Sequence, residues 1–164
     1  MQKRDLNNKL EKAVVNIGVG RMSSMPGFED KLLPEIVKEI STITGQKPSL
    51  RSALKSISGF KLREGTVVGL KTTLRGKYMN SMVSKMLNAA LPRVRDFRGI
   101  DAGAIDKNGN LNIGLKEHLV FPEIIPEHSK VNFGMQVTLV PKLPIKNKAE
   151  AVEFYKKLGV PFKK

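Results

Sequence analysis

Apolar and polar residues alternate along Ala13–Val19 (AVVNIGV). Ala13, Val15, Ile17 and Val19 share one side; Val14, Asn16 and Gly18 share the other. That is the period of a strand covered on one face only. The alternation returns over Thr66–Arg75, where Val68, Leu70, Thr72 and Leu74 oppose Gly69, Lys71, Thr73 and Arg75. Further strands are expected at Lys47–Ser52, Asn110–Glu117 and Gly134–Pro141, with a short apolar piece, Leu119–Ile124, between the last two. In three places the period lengthens to that of a helix. Leu33, Ile36, Val37, Ile40 and Ile43 predict one over Asp30–Thr44, with Asp30 as N-cap and Gly45 as terminator. Tyr78, Met79, Met82, Val83, Met86, Leu87, Ala90 and Leu91 predict a second, starting at Gly76 and stopped by Pro92. Asn147 and Glu150 have capping-box spacing for a third, which buries Ala151, Val152, Tyr155 and Leu158 and ends at Gly159 and Pro161. Strands and helices in this mixed order predict an α+β fold: a mainly antiparallel five-stranded sheet, about three helices on one face, and the other face open.

The length of 164 residues and the 40% hydrophobic content suit a single domain over 1–164. Its polar start, 1–11, is expected to be loosely held, and the stretch 53–65 to protrude as a basic loop.

Charge sharpens the picture. The chain carries a formal +14, and the segment Arg51–Arg98 holds eleven Lys or Arg against only Glu64 and Asp96. A concentration this local exceeds what solubility needs and suits a polyanion, of which nucleic acid is the commonest. On the predicted open face lie Asn16, Gly18, Lys71, Thr73 and Arg75, a set of small and cationic groups that lets a nucleic-acid backbone approach closely. Arg93, Arg95 and Arg98 form a further cluster of phosphate-binding type. The loop Lys55–Gly65 (KSISGFKLREG) sets Lys55, Lys61 and Arg63 around Ser58-Gly59. It reads either as a connection whose Ile57 and Phe60 tuck back into the core, or as a mobile finger whose backbone N–H groups and cations meet phosphate. Aromatic residues are only 5% and there is no Trp, so base stacking is a poor candidate and recognition should use shape, backbone and ribose contacts.

Other chemistries fit poorly. There is no cysteine, and His118 and His128 are the only histidines, so thiolate and histidine-rich metal sites are excluded. NIGVG (Asn16–Gly20) resembles the start of a dinucleotide loop, but Ser23 stands at the sixth position and a proline-bearing loop intervenes. Glu117–His118 and Glu127–His128 are neighbours that do not face each other on a strand, so they make no acid–base pair. Met79, Met82 and Met86 read as core filler. No apolar run approaches membrane-spanning length, and the cations do not form one dense helical face. No enzyme activity, cofactor, small-molecule substrate or membrane partner is expected.

ITGQKP (Ile43–Pro48), KSISGFKLREG, LKTTLRG (Leu70–Gly76), LPRVRDFRGI (Leu91–Ile100) and GNLNIGLKEHLVFPEI (Gly109–Ile124) occur in that order. With them the chain closely resembles the family of bacterial-type large-subunit ribosomal protein five, which binds 5S rRNA in the central protuberance. The resemblance covers about residues 11–162. It implies a non-enzymatic, cytoplasmic ribosomal protein with three surfaces. The 5S rRNA surface would comprise Asn16, Gly18, Gln46, Lys47, Gly69, Lys71, Thr72, Thr73 and Arg75. A P-site tRNA surface would lie on the finger 51–65, with Arg51, Lys55, Ser58, Gly59, Lys61 and Arg63. An intersubunit bridge to a small-subunit head protein would lie around Asp101–Gly109 and Ile124–Asn132. Apart from these three surfaces, Arg93, Arg95 and Arg98 are expected as other RNA contacts, and large-subunit rRNA as a further partner. The family usually has a longer, largely helical stretch before the first strand, whereas here the strand is expected to start near residue 12. The loop Arg21–Asp30 also departs from the family pattern, and Ser58 stands where many relatives have alanine.

Overall fold

The computed structural model describes residues 9–60, 62–127, 129–145 and 147–163. Of the sites expected above, Lys61 lies outside the described residues, as do His128 and positions 1–8 of the expected loose start.

Five strands make one sheet: β1 (Leu10–Gly18), β2 (Ser49–Ser52), β3 (Val67–Leu74), β4 (Leu111–Leu115) and β5 (Met135–Pro141). Their spatial order is β2-β3-β1-β5-β4, and every neighbouring pair is antiparallel. The first strand starts earlier than its alternation predicts. Leu10 is buried and pairs with Pro141 across a register irregularity between Leu10 and Lys12. That bulge breaks the simple alternation, because Glu11 and Lys12 read as loop although they extend the strand.

Three helices cover one face: α1 (Leu33–Thr44), α2 (Gly76–Lys85) and α3 (Lys148–Lys157). Ala13, Val15, Ile17, Leu70, Leu74, Val137 and Leu139 from the sheet join Ile36, Ile40, Met79, Met82, Met86 and Tyr155 from the helical side in one apolar cluster. The three methionines are at most 1% exposed, so they fill the core as their spacing predicts.

Asp30 does not cap the first helix. The chain turns at Gly27 (φ 73), passes through a wide π-type turn at Phe28–Leu32, and enters α1 with Pro34 in its first turn. Phe28 is buried there, so an aromatic anchor rather than a carboxylate fixes the entry. Gly45 ends α1 in the left-handed conformation (φ 72), and a Cβ there would lie 3.1 Å from the Tyr78 ring. Tyr78 thus lies over the end of α1 and stays 51% exposed, while Asn80 is buried on α2. The second helix continues past Lys85 through a π-type stretch, Met86–Ala90, to a last turn at Leu91–Arg93. Pro92 lies inside that last turn and Val94 is the first extended residue. Asn147 caps α3 as expected: its side-chain oxygen accepts from the Ala149 N–H at 3.1 Å and its amide donates to Glu150 at 3.3 Å. The hydroxyl of buried Tyr155 lies within hydrogen-bond reach of the Gly109 and Leu139 carbonyls (2.8 and 3.1 Å), which share its one proton and tie α3 to the sheet.

His118 fastens the β4–β5 connection to α1. Its ring is fully buried and stacks on Phe133 at 3.9 Å. Nδ1 accepts from the Phe133 N–H (3.5 Å); Nε2 lies 3.1 Å from both Glu39 and the Ser129 hydroxyl. With Nδ1 accepting, the proton of the neutral ring sits on Nε2. Burial pushes the His118 pKa below its ordinary value, outweighing the pull of Glu39 in the opposite direction. As pH falls, the unfolded chain therefore takes up this proton before the folded one does, and the native state loses stability. The urea midpoint should drop between neutral pH and about pH 5.5, with a smaller drop in His118→Asn. An equal drop in both would assign the effect to other groups.

Candidate nucleic-acid interface

The pairing register lines up the uncovered side of the sheet. Lys71 stands opposite Asn16, Asn16 opposite Gln136, and Gln136 opposite Gly114, with Ser49 opposite Lys71 at the near edge. One row thus crosses all five strands: Ser49, Lys71, Asn16, Gln136, Gly114. A second row runs Thr73, Val14, Thr138, Asn112. Asn112 accepts from Thr138 (2.7 Å) and Gln136 (3.1 Å), which holds these amides in the plane of the face. Gly18 and Gly69 pair side by side beyond the first row, with Arg51 opposite Gly69.

Of the expected sheet residues, Asn16, Gly18, Gly69, Lys71 and Thr73 therefore meet on one surface, and exposed Arg75 continues β3 at its end. Thr72 is different. Its side chain points to the helices and is 1% exposed, as its alternation with Leu70 and Leu74 requires. Only its backbone is near the open side. Gln46 and Lys47 are exposed just before β2, where Thr44 ties down Gln46 by accepting from its N–H and donating to its carbonyl.

Sequence reasoning overlooked the other half of the face: Asn112, Gly114, Gln136 and Thr138. They are uncharged, and attention to cations passes over them. The alternation in MQVTLVP would have found Gln136 and Thr138.

Gly18 and Gly114 share a property. A Cβ at either would meet nothing within 4 Å. Packing does not require them to be glycine, so they leave bare backbone where a ligand can come close. Gly69 is constrained, because a Cβ there would lie 3.1 Å from the Ile17 carbonyl.

The finger is a small hairpin of its own. Ile57 and Leu62 exchange backbone hydrogen bonds at 2.9 and 3.1 Å, Ala53 donates to Thr66 (2.8 Å), and Gly65 donates to Ala53 (3.0 Å). Its tip, Ser58–Phe60, is a tight turn, and Arg51, Lys55, Ser58, Gly59 and Arg63 are all exposed. The apolar members do not tuck back: Phe60 is 79% exposed.

At the opposite edge, Asp96 takes a left-handed turn (φ 52) and Arg93, Arg95 and Arg98 are exposed around it. Arg95 and Arg98 line a cleft of about 460 Å³ beside β4, with Lys116 and Lys163. Arg93 is not part of it. Among the described residues the ion pairs are Lys12–Glu11, Lys85–Glu123, His118–Glu39 and Lys130–Glu35. None uses a cation of the open face, the finger or the arginine cluster, so these charges are available to phosphate.

The geometry is that of a polar, cation-rimmed platform, and among the described residues no acid, base and nucleophile converge on it. The family model described as ribosomal protein L5 matches residues 7–63, and the model for the C-terminus of the same ribosomal family matches 67–162. The chain belongs to the ribosomal protein L5 family. Relatives agree. The large ribosomal subunit protein uL5 of Halothermothrix orenii is 42% identical over 167 residues, covering 99% of this chain and 90% of that protein. The proteins of the same description from Acholeplasma laidlawii and Dictyoglomus turgidum are 48% and 47% identical, each over 95% of this chain and 83% and 84% of their own lengths. As an L5 family member the protein is a structural, non-enzymatic, rRNA-binding constituent of the large ribosomal subunit, placed in the cytoplasm with the ribosome. The L5 family resemblance read from five sequence motifs is thereby borne out, as is the α+β sheet with helices on one side.

Proposed function

We propose that the open sheet face binds 5S rRNA and holds it in the central protuberance, with Asn16, Gly18, Gln46, Lys47, Gly69, Lys71, Thr73 and Arg75 in contact. The observation that carries this is the row from Ser49 to Gly114: small, polar and cationic groups at strand spacing, in no ion pair among the described residues, with Lys71 half-buried and the other four exposed. Amides and hydroxyls meet ribose and groove edges, while Lys71 and Arg75 neutralise phosphate. The finger 51–65 reaches the P-site tRNA through Arg51, Lys55 and Arg63 and the backbone at Ser58–Gly59. Arg95 and Arg98 take large-subunit rRNA at the β4 edge. The loops Asp101–Gly109 and Ile124–Asn132 meet a small-subunit head protein. In the first of these, Asp101 and Asp106 accept backbone N–H groups from Gly103 (2.6 Å) and from Asn108 and Asn110 (2.8 and 2.9 Å). Those bonds fix the loop as a rigid docking edge.

The division of labour is testable. Lys55→Glu with Arg63→Glu should leave 5S rRNA affinity within about twofold, since neither group is on the sheet face, and should weaken tRNA on reconstituted particles by on the order of tenfold. Gel shift with 5S rRNA and filter binding of tRNA to particles read the two effects. Coupled loss of both would show that finger and face are one site.

A further inference from the structure

The arginine cluster at the β4 edge sits in more structure than a phosphate contact needs. Gly99 (φ 98) brings the end of the chain alongside it. Ile100 donates to the Pro161 carbonyl at 2.8 Å and accepts from the Lys163 N–H at 3.0 Å. A Cβ at Gly99 would lie 2.7 Å from the Lys163 nitrogen, so only glycine lets the two segments meet this closely. The stitch holds Lys163 at the cleft that Arg95, Arg98 and Lys116 also line. Cations from three separate stretches of chain thus border its 460 Å³. Asp96 and Asp101 line it too, but Asp101 is turned to its own loop, where it accepts from the Gly103 N–H at 2.6 Å.

A second hollow, of about 680 Å³, adjoins the first and is bordered by Pro161 and Phe162. Phe97, Arg98, Gly99 and Lys163 line both, so the two hollows are lobes of one site. One lobe is rich in cations; the other offers ring and proline surface. Phe97 and Phe162 are half-buried and packed against the core, which fixes their rings in place.

Size and chemistry narrow the occupant. Each lobe falls within the roughly 300–1,000 Å³ of small-molecule sites. An inorganic anion would use the first lobe and leave the second empty. An apolar molecule would leave the cations without partners. A nucleoside di- or triphosphate has both parts: clustered charge at one end, a flat ring at the other, and a ribose between them.

We infer that this cleft binds a nucleoside polyphosphate, its phosphates held by Arg95, Arg98 and Lys116 and its base laid against Phe162. The nucleotide is a ligand, not a substrate. The inference goes beyond the rRNA reading of Arg95 and Arg98 and bears on it, because nucleotide and rRNA phosphate would compete for the same two arginines. The sheet face proposed for 5S rRNA is separate.

The test uses the full chain with ATP and two parts of it, adenosine and inorganic tripolyphosphate. Calorimetric titration is run at about 0.15 M salt, where loose pairing of anions with exposed charges is screened. ATP should bind at one site, about tenfold more tightly than tripolyphosphate, and adenosine more weakly than either. Arg95→Gln with Arg98→Gln should weaken ATP on the order of a hundredfold. Both side chains are exposed, so the core is untouched. Lys71→Gln with Arg75→Gln removes the same charge from the sheet face and should leave ATP affinity within about twofold. Phe162→Leu should bring ATP down to the affinity of tripolyphosphate, with a urea melt as control for folding. No saturable ATP binding up to millimolar concentration overturns the inference. Equal loss of ATP in the arginine variant and the sheet-face variant overturns it too, and assigns the binding to net charge. Tripolyphosphate bound as tightly as ATP by the native chain rejects the nucleoside and leaves a plain anion hollow. Gel shift of 5S rRNA with the arginine variant reads the sheet face independently, so neither reading falls with the other.

Discussion

Reversing Lys71 and Arg75 to glutamate together should weaken 5S rRNA binding by at least about a hundredfold in dilute buffer. A cation on phosphate makes a charge-assisted hydrogen bond worth about 1.5–3 kcal/mol, and each 1.4 kcal/mol or so is a factor of ten. Two such bonds are lost and two repulsions added. The log–log dependence of affinity on salt should also become shallower by about two, one for each phosphate no longer neutralised. The fold should survive. Neither residue enters an ion pair among the described residues, and neither belongs to the apolar cluster. Relief of like-charge crowding on a chain of +14 offsets part of any local cost. Filter binding over a salt series, with a urea melt as control, reads both quantities. An unchanged slope would place the RNA elsewhere on the molecule.

What the sequence disclosed, and what it withheld, follows the reach of each signal. Alternation is local, so the two faces of β1 and β3 could be read directly, with Ala13, Val15 and Ile17 inward and Asn16 and Gly18 outward. Strand order is not local. Nothing in AVVNIGV says that it lies between Thr66–Arg75 and Gly134–Pro141, and only that placement makes Lys71, Asn16 and Gln136 one row. The uncharged half of the face was missed for this reason: Asn112 and Gly114 acquire meaning from their neighbours across β5. Helix interiors were legible and their ends were not. Asp30 has the chemistry of a cap, but Gly27 and buried Phe28 set the turn. Tyr78 fits the apolar stripe of α2 by spacing, yet lies over Gly45 at the end of another helix. The finger's charges were visible as a cluster. That Phe60 faces solvent depends on the Ile57–Leu62 pairing, which holds the tip away from the core.

Gly18→Leu should reduce 5S rRNA affinity by on the order of tenfold or more while changing stability by no more than about 1 kcal/mol. The two halves of that expectation come from one measurement of space. A Cβ at Gly18 meets nothing within 4 Å, and its backbone is not in the left-handed region. A larger residue is therefore accommodated, and removing a glycine from a strand lowers the entropy lost on folding. The same open space is what the proposed ligand must enter. A leucine standing up from the end of β1 would hold a sugar-phosphate backbone away from neighbouring Asn16 and from Lys71 opposite it, so their contacts fail together. Gly69→Leu cannot serve, because the Ile17 carbonyl, 3.1 Å from its Cβ position, confounds folding with binding. Gly114→Leu is the informative companion. It is equally unobstructed and lies on the same row at the far edge of the sheet. Loss of affinity in both variants would mean that RNA spans all five strands; loss only in Gly18→Leu would confine it to β2, β3 and β1. A Gly18→Leu protein that melts normally and binds 5S rRNA as tightly as the native chain would rule out close approach at this face.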